Sequence, residues 1–118
     1  MSSPENAFYG RVKKYLDSLR KAGVPLWYYR TYGGGRTKRG LPDLCVVLAG
    51  RAVFIELKAP GGKPTAIQLH RCREIEKAGG VAFVASCIGF VHHMLRQVAE
   101  TANLSFDARV ALGKVEDV

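Results

Sequence analysis

Long apolar runs are missing from this sequence: nothing in it approaches the roughly 20 consecutive apolar residues of a membrane span, so no membrane partner is expected. The opening stretch, Met1-Ser2-Ser3-Pro4-Glu5-Asn6, lacks the apolar core of a secretory signal, and a cytoplasmic setting is the expectation. Cysteine is scarce. Cys45, Cys72 and Cys87 form an odd set without paired spacing, which argues against a disulfide framework or a zinc site and predicts buried free thiols. Acid is missing over one long interval. Between Asp17 and Asp43 there is none, while the same stretch holds Arg20, Lys21, Arg30, Arg36, Lys38 and Arg39.

What is present is enough chain for one core: 118 residues, 47% of them apolar, with a formal net charge of +8. A basic tract of this kind suits a polyanion, most simply nucleic acid. Arg30, Arg36, Lys38 and Arg39, with Lys63 further along, are the candidate phosphate contacts. One domain is expected over residues 1–100. Residues 101–118 carry few large apolar groups and read as a loose or partner-dependent tail.

The elements can be placed from caps and periodicity. Ser3-Pro4-Glu5 opens a helix with an N-cap serine, a proline at the first helical position and an acid in the first turn. Phe8, Val12, Tyr15, Leu16 and Leu19 make its apolar stripe, and Gly23 ends it. Residues 25–32 are aromatic and β-prone. A flexible basic loop from Gly33 to Gly40 follows. Two apolar runs, 43–48 and 51–58, flank the short-turn signal Ala49-Gly50. After a second loop, Thr65 can cap a helix reaching Lys77 with Ile67, Cys72 and Ile75 among its inward positions. Residues 81–85 are fully apolar, as in a central strand, and a last helix is expected from Phe90 to Ala99. The order αβββαβα predicts an α/β fold, a mixed sheet with helices on both faces, and a parallel crossover from Arg51 to Ala85.

The chemistry concentrates at one end of the central hairpin. If Ala49 and Gly50 form a two-residue turn, Leu48 pairs with Arg51 and Asp43 falls opposite Glu56 on one sheet face. Lys58, two residues on, shares that face. A three-residue turn would instead set Asp43 against Leu57 and split the acids. Two carboxylates so close repel unless a cation lies between them, and a hard divalent metal suits their oxygens. Lys58 would face the attacking water and the scissile phosphate, where it could orient the nucleophile, offset charge developing on phosphorus or, if desolvated, act as a base. Glu5 is either a dipole-favoured surface acid or a third carboxylate for the metal. Gln68 is either a solvated helix residue or an amide that supports the site. The adjacent His92 and His93 point about 100° apart on a helix, and with His70 they are assigned structural or surface roles.

These residues resemble the PD-(D/E)xK nuclease superfamily, as Pro42-Asp43 followed by Glu56-Leu57-Lys58. More narrowly they resemble the VRR-Nuc family, the virus-type replication-repair nucleases, through Gly40-Leu41-Pro42-Asp43-Leu44, Ile55-Glu56-Leu57-Lys58 and Pro64-Thr65-Ala66-Ile67-Gln68 in that order. The resemblance spans about residues 5 to 86. It implies a restriction-endonuclease-like core and Mg2+- or Mn2+-dependent hydrolysis of DNA. Asp43, Glu56 and the Leu57 carbonyl would hold metal with help from Glu5. Lys58 would be catalytic and Gln68 would support it. It further implies a homodimer acting on branched DNA such as a four-way (Holliday) junction, in a bacterial cell or phage-infected host. Trp27 and Tyr29, with Val91, Met94, Leu95 and Val98, are the apolar residues that such a dimer could use. The alternatives are a non-catalytic nucleic-acid-binding module, in which the acids are incidental, and an interaction subunit.

Overall fold

The computed structural model describes residues 3–31, 39–102 and 110–113. Ser3 accepts a hydrogen bond from the Asn6 amide at 3.1 Å and so caps α1 (Pro4–Lys21), whose Phe8, Val12, Tyr15, Leu16 and Leu19 are buried. β1 (Leu26–Arg30), β2 (Leu44–Leu48), β3 (Arg51–Leu57), α2 (Ala66–Lys77), β4 (Val81–Ala85) and α3 (Ile88–Thr101) follow. The sheet order is β1-β2-β3-β4, antiparallel through β3 and parallel between β3 and β4, so the expected αβββαβα order and mixed sheet are both present.

The two sheet faces differ. Leu26, Leu44, Val46, Leu48, Val53, Ile55, Leu57, Phe83 and Ala85 point to one face and form a continuous core with α1 and α3. α1 and α3 are also tied by a hydrogen bond between the Tyr15 hydroxyl and His92 Nδ1 at 2.9 Å, which gives His92 the structural role expected of it. α2 covers part of the opposite face, against β4.

The turn that sets the hairpin register is a two-residue one. Ala49 and Gly50 both have positive φ, 50° and 85°, the pattern of a tight hairpin turn whose twist matches its strands. Leu48 pairs with Arg51 and Leu44 with Ile55, and one step further Asp43 lies across from Glu56.

Several details depart from the sequence reading. β4, read as a central strand, lies at the sheet edge and pairs only with β3 among the described strands, and Ile67 of α2 is exposed rather than inward. α3 begins two residues early, because Cys87 serves as N-cap with no side-chain hydrogen bond and so leaves no capping signature to read. Cys87 is exposed, whereas Cys45 and Cys72 are buried as expected. Val91, Leu95 and Val98 are spent inside the core, so they are not available to a partner; Leu112, in the segment expected to be loose, is buried against the same core.

Candidate metal-dependent active site

The end of the hairpin gathers Asp43, Glu56 and Lys58, and two helices bring Glu5 and Gln68 to them. Asp43 is fixed just before β2. Its carbonyl accepts from the Thr31 amide at 2.7 Å, and its Oδ2 accepts from the Leu57 amide at 2.7 Å. The loop that delivers it is pinned on α2. Gly40 has φ +76°, and a Cβ there would stand 2.8–2.9 Å from Ile67, including its backbone carbonyl, so only glycine fits. Beside it the Arg39 carbonyl accepts from Arg71 Nε at 2.8 Å.

Glu56 follows Ile55 on β3 and is only 2% exposed. Its Oε2 accepts from Gln68 Nε2 at 3.0 Å and lies 3.6 Å from Lys58 Nζ. Its Oε1 is buried with no hydrogen-bond partner. Burial first, then the Asp43 charge, pushes the Glu56 carboxyl up to about 8, against the pull of Lys58. Lys58 Nζ is also 3.7 Å from Glu5 Oε1, so the first-turn acid of α1 joins the cluster through the lysine.

Gln68 has two tasks. Its Oε1 accepts from the Thr65 amide at 2.8 Å, while Thr65 Oγ1 accepts from the Gln68 amide at 3.2 Å, a reciprocal capping box that starts α2. With Oε1 held there, the amide turns its N–H groups toward Glu56. The helix start therefore orients the acid. The Pro64-Thr65-Ala66-Ile67-Gln68 signal singled out Gln68, but the double use of its amide depends on where the crossover sets α2 down.

The acids suit a hard divalent cation. An unpaired buried oxygen on Glu56, facing a second carboxylate, is a costly arrangement that a cation relieves. Among the described residues no group of three or more His, Cys, Asp or Glu side chains is gathered to hold an ion, so the fit rests on the Asp43–Glu56 pair. Leu57 gives its amide to Asp43 and buries its side chain on the core face.

The expected DNA contacts are less uniform. Arg30 stacks over the Tyr9 ring, 4.0 Å from its centroid, and donates to Asn6 Oδ1 at 2.8 Å, so α1 already engages it. Arg39 and Lys63 are exposed; Arg36 and Lys38, with most of the basic loop, lie outside the described residues. The tie from Arg71 to the basic loop was not foreseen, since it ends on a backbone carbonyl that leaves no trace in sequence.

A mixed sheet with helices on both faces, and two acids and a lysine at the end of its central hairpin, defines a PD-(D/E)xK-type core. No family model matches the chain. It is similar to "Putative nuclease p44" of Acyrthosiphon pisum secondary endosymbiont phage 1, 41% identical over 61 residues, which cover 50% of this chain and 61% of the phage protein. It is also similar to a solved structure described as a VRR_NUC domain, with a TM-score of 0.55 and 26% identity, covering 84% of this chain and 97% of that one. Fold, motifs and these likenesses together support the resemblance to the VRR-Nuc nucleases.

Proposed function

We propose that this chain is a divalent-metal-dependent DNA endonuclease that hydrolyses phosphodiester bonds at the Asp43–Glu56 end of the hairpin. The observation that carries the reading is the buried Glu56 carboxylate, set across from Asp43, with one oxygen unpaired and Lys58 Nζ at 3.6 Å. The similarity to a phage nuclease and to a VRR_NUC domain supports it.

Asp43, Glu56 and the Leu57 carbonyl are the oxygens that would hold Mg2+ or Mn2+, with Glu5 as an added acid at the rim. When bound, such an ion polarises a phosphoryl oxygen and lowers the pKa of water. The remaining work falls to the chain. Gln68 holds Glu56 in place. Lys58, already balanced between Glu56 and Glu5, presents an ammonium to charge developing on phosphorus. Arg39 and Lys63, with Arg36 and Lys38, supply backbone phosphate contacts that position the strand without reading sequence.

The preferred substrate in this reading is branched DNA, and the working form is a homodimer. A four-way junction presents two symmetry-related strands, and a C2 dimer sets one site at each. β1 is an edge of the sheet, pairing only with β2 among the described strands, so a second copy can add along it. A cytoplasmic setting in a bacterial cell or phage-infected host accords with the phage relative.

The test is cleavage of labelled duplex, flap and four-way-junction DNA in Mg2+, Mn2+ or EDTA, with sedimentation of the protein alone and on the junction. Metal-dependent cuts in the junction by a dimer are expected. Binding without cleavage in either metal would make the chain a non-catalytic DNA-binding module, and a monomer on the junction would remove the dimer.

A further inference from the structure

The sheet face that carries Asp43 and Glu56 is only partly covered by α2. Over β1, and at Val47 of β2, it is open to solvent: Trp27 is 55% exposed, Tyr29 48% and Val47 37%. The Trp27 and Tyr29 rings lie 5.6 Å apart, centroid to centroid, tilted by 50°. Val47 stands across from Trp27, and Cys45 across from Tyr29. Thr31, the next residue on the same face, already binds the Asp43 carbonyl through its amide. Side chains on one face recur about every 7 Å along a strand, so Tyr29 and then Trp27 form a track about 7 and 14 Å from the level of the acid pair.

We infer that Trp27 and Tyr29 are a stacking platform for unpaired DNA bases next to the scissile phosphate. The inference rests on the nuclease reading for the strand that lies at the acids, and it names the part of the substrate this face takes. Three observations favour bases. Exposed aromatics on a sheet hold bases of any sequence, because every base has a π-face, and only unpaired bases have that face free. The net charge of +8 draws a polyanion to the molecule. The exposed area of Trp27, Tyr29 and Val47 is roughly 300 Å², judged from the area such aromatics present, well short of the roughly 800 Å² per partner of a stable protein interface. The patch matches one or two bases better than a second protein.

The chain has a single tryptophan, so its fluorescence reports this face alone. The full-length protein would be titrated in EDTA with an intact single-stranded oligonucleotide of twelve or so nucleotides, then with its blunt duplex. The single strand should quench Trp27 saturably and the duplex should leave it nearly unchanged. Replacing both rings, as Trp27→Leu with Tyr29→Leu, should weaken single-strand binding about fivefold or more, the low end for loss of a base stack, with less than a twofold effect on the duplex. Trp27→Phe, which keeps a ring, should retain most of the affinity. If the double variant fails to fold, the wild-type quenching and the Trp27→Phe affinity still decide. Equal quenching by duplex, or none by either DNA, overturns the platform. So does an emission shift that follows protein concentration without DNA and tracks a doubling of mass, which would give the face to a second copy. Cleavage of duplex, flap and four-way-junction DNA in Mg2+ and Mn2+ is scored separately. Single-strand quenching without cleavage keeps the platform and refutes the nuclease reading; cleavage without quenching does the reverse.

Discussion

The two faces of one four-stranded sheet have been put to opposite uses. On the α1–α3 face Leu44, Val46, Leu48, Val53 and Ile55 are wholly buried against helices, and no charged group is buried among them. On the α2 face central β3 carries a buried, half-satisfied glutamate, and the edge strand β1 carries exposed aromatic rings. The first face shows what packing alone selects. The second departs from that pattern at Glu56, where a buried carboxyl with one unpaired oxygen, pushed up to about 8 despite Lys58 beside it, has no packing rationale. Groups with displaced pKa values tend to mark functional sites. The difference can be broken or sharpened by substitutions on each side.

The largest effects fall on the acids. Asp43→Ala and Glu56→Gln should each abolish turnover, read as single-turnover cleavage of labelled DNA, with the fold retained by circular dichroism. Leu16→Ala, behind the opposite face, should do the reverse: it should cost about 2–5 kcal/mol of stability in denaturant melts and leave the cleavage rate per folded molecule unchanged. Lys58→Ala comes next. It should slow cleavage by about a hundredfold or more, comparable to loss of a group that offsets transition-state charge, while DNA affinity falls only a few-fold because one cation is a small part of the basic surface. An unchanged single-turnover rate with a large loss of affinity would make Lys58 a binding residue.

Gln68 sits between structure and chemistry. Gln68→Leu should lower the rate about 10–100-fold, as removal of a supporting hydrogen bond does in metal sites, and also cost about 1 kcal/mol of stability through the lost cap. Gln68→Glu keeps an acceptor for the Thr65 amide but presents no donor to Glu56. It should therefore recover stability and not rate. If both variants cut at the wild-type rate, the link from capping box to acid has no catalytic meaning.

Glu56 also sets a pH dependence. Its carboxyl rises from an ordinary value of 4.5 to about 8 on folding, so between those pH values the folded, metal-free protein binds the proton that the unfolded chain gives up. The Glu56 contribution to stability is thus fully present below pH 4.5 and is lost as pH rises through 8. The melting temperature of metal-free protein should fall over this window, and Glu56→Gln should flatten the fall. A Glu56→Gln profile that parallels wild type would show that the carboxyl titrates normally. The smallest effect is at the turn. Ala49 pays for a left-handed conformation, about 1 kcal/mol, and Ala49→Gly should recover part of it in a denaturant melt without changing cleavage.

Much of this was legible because the information is local. Ala49-Gly50 marks a short turn, and once the structure makes it a two-residue one the register sets Asp43 against Glu56. Ser3, Pro4 and Thr65 announce their helices. What depends on how elements meet was not legible. The burial of Val91, Leu95 and Val98 rather than their display follows from how α3 docks, and an amphipathic stripe reads the same either way. The exposure of Trp27 and Tyr29 follows from α2 lying toward β4 and stopping short of β1. Arg71 and Gly40 act on backbone atoms, and the amide of Gln68 is committed twice only because the crossover returns it to Glu56.

The central claim is that Asp43 and Glu56 form a hydrolytic centre that needs a divalent cation, and the most direct measurement compares wild type with Glu56→Gln on labelled four-way-junction DNA in Mg2+, Mn2+ and EDTA. Cleavage by wild type in metal, none in EDTA, and none by Glu56→Gln under any condition is the predicted result. Wild-type cleavage in EDTA, or an undiminished rate in Glu56→Gln, would contradict it.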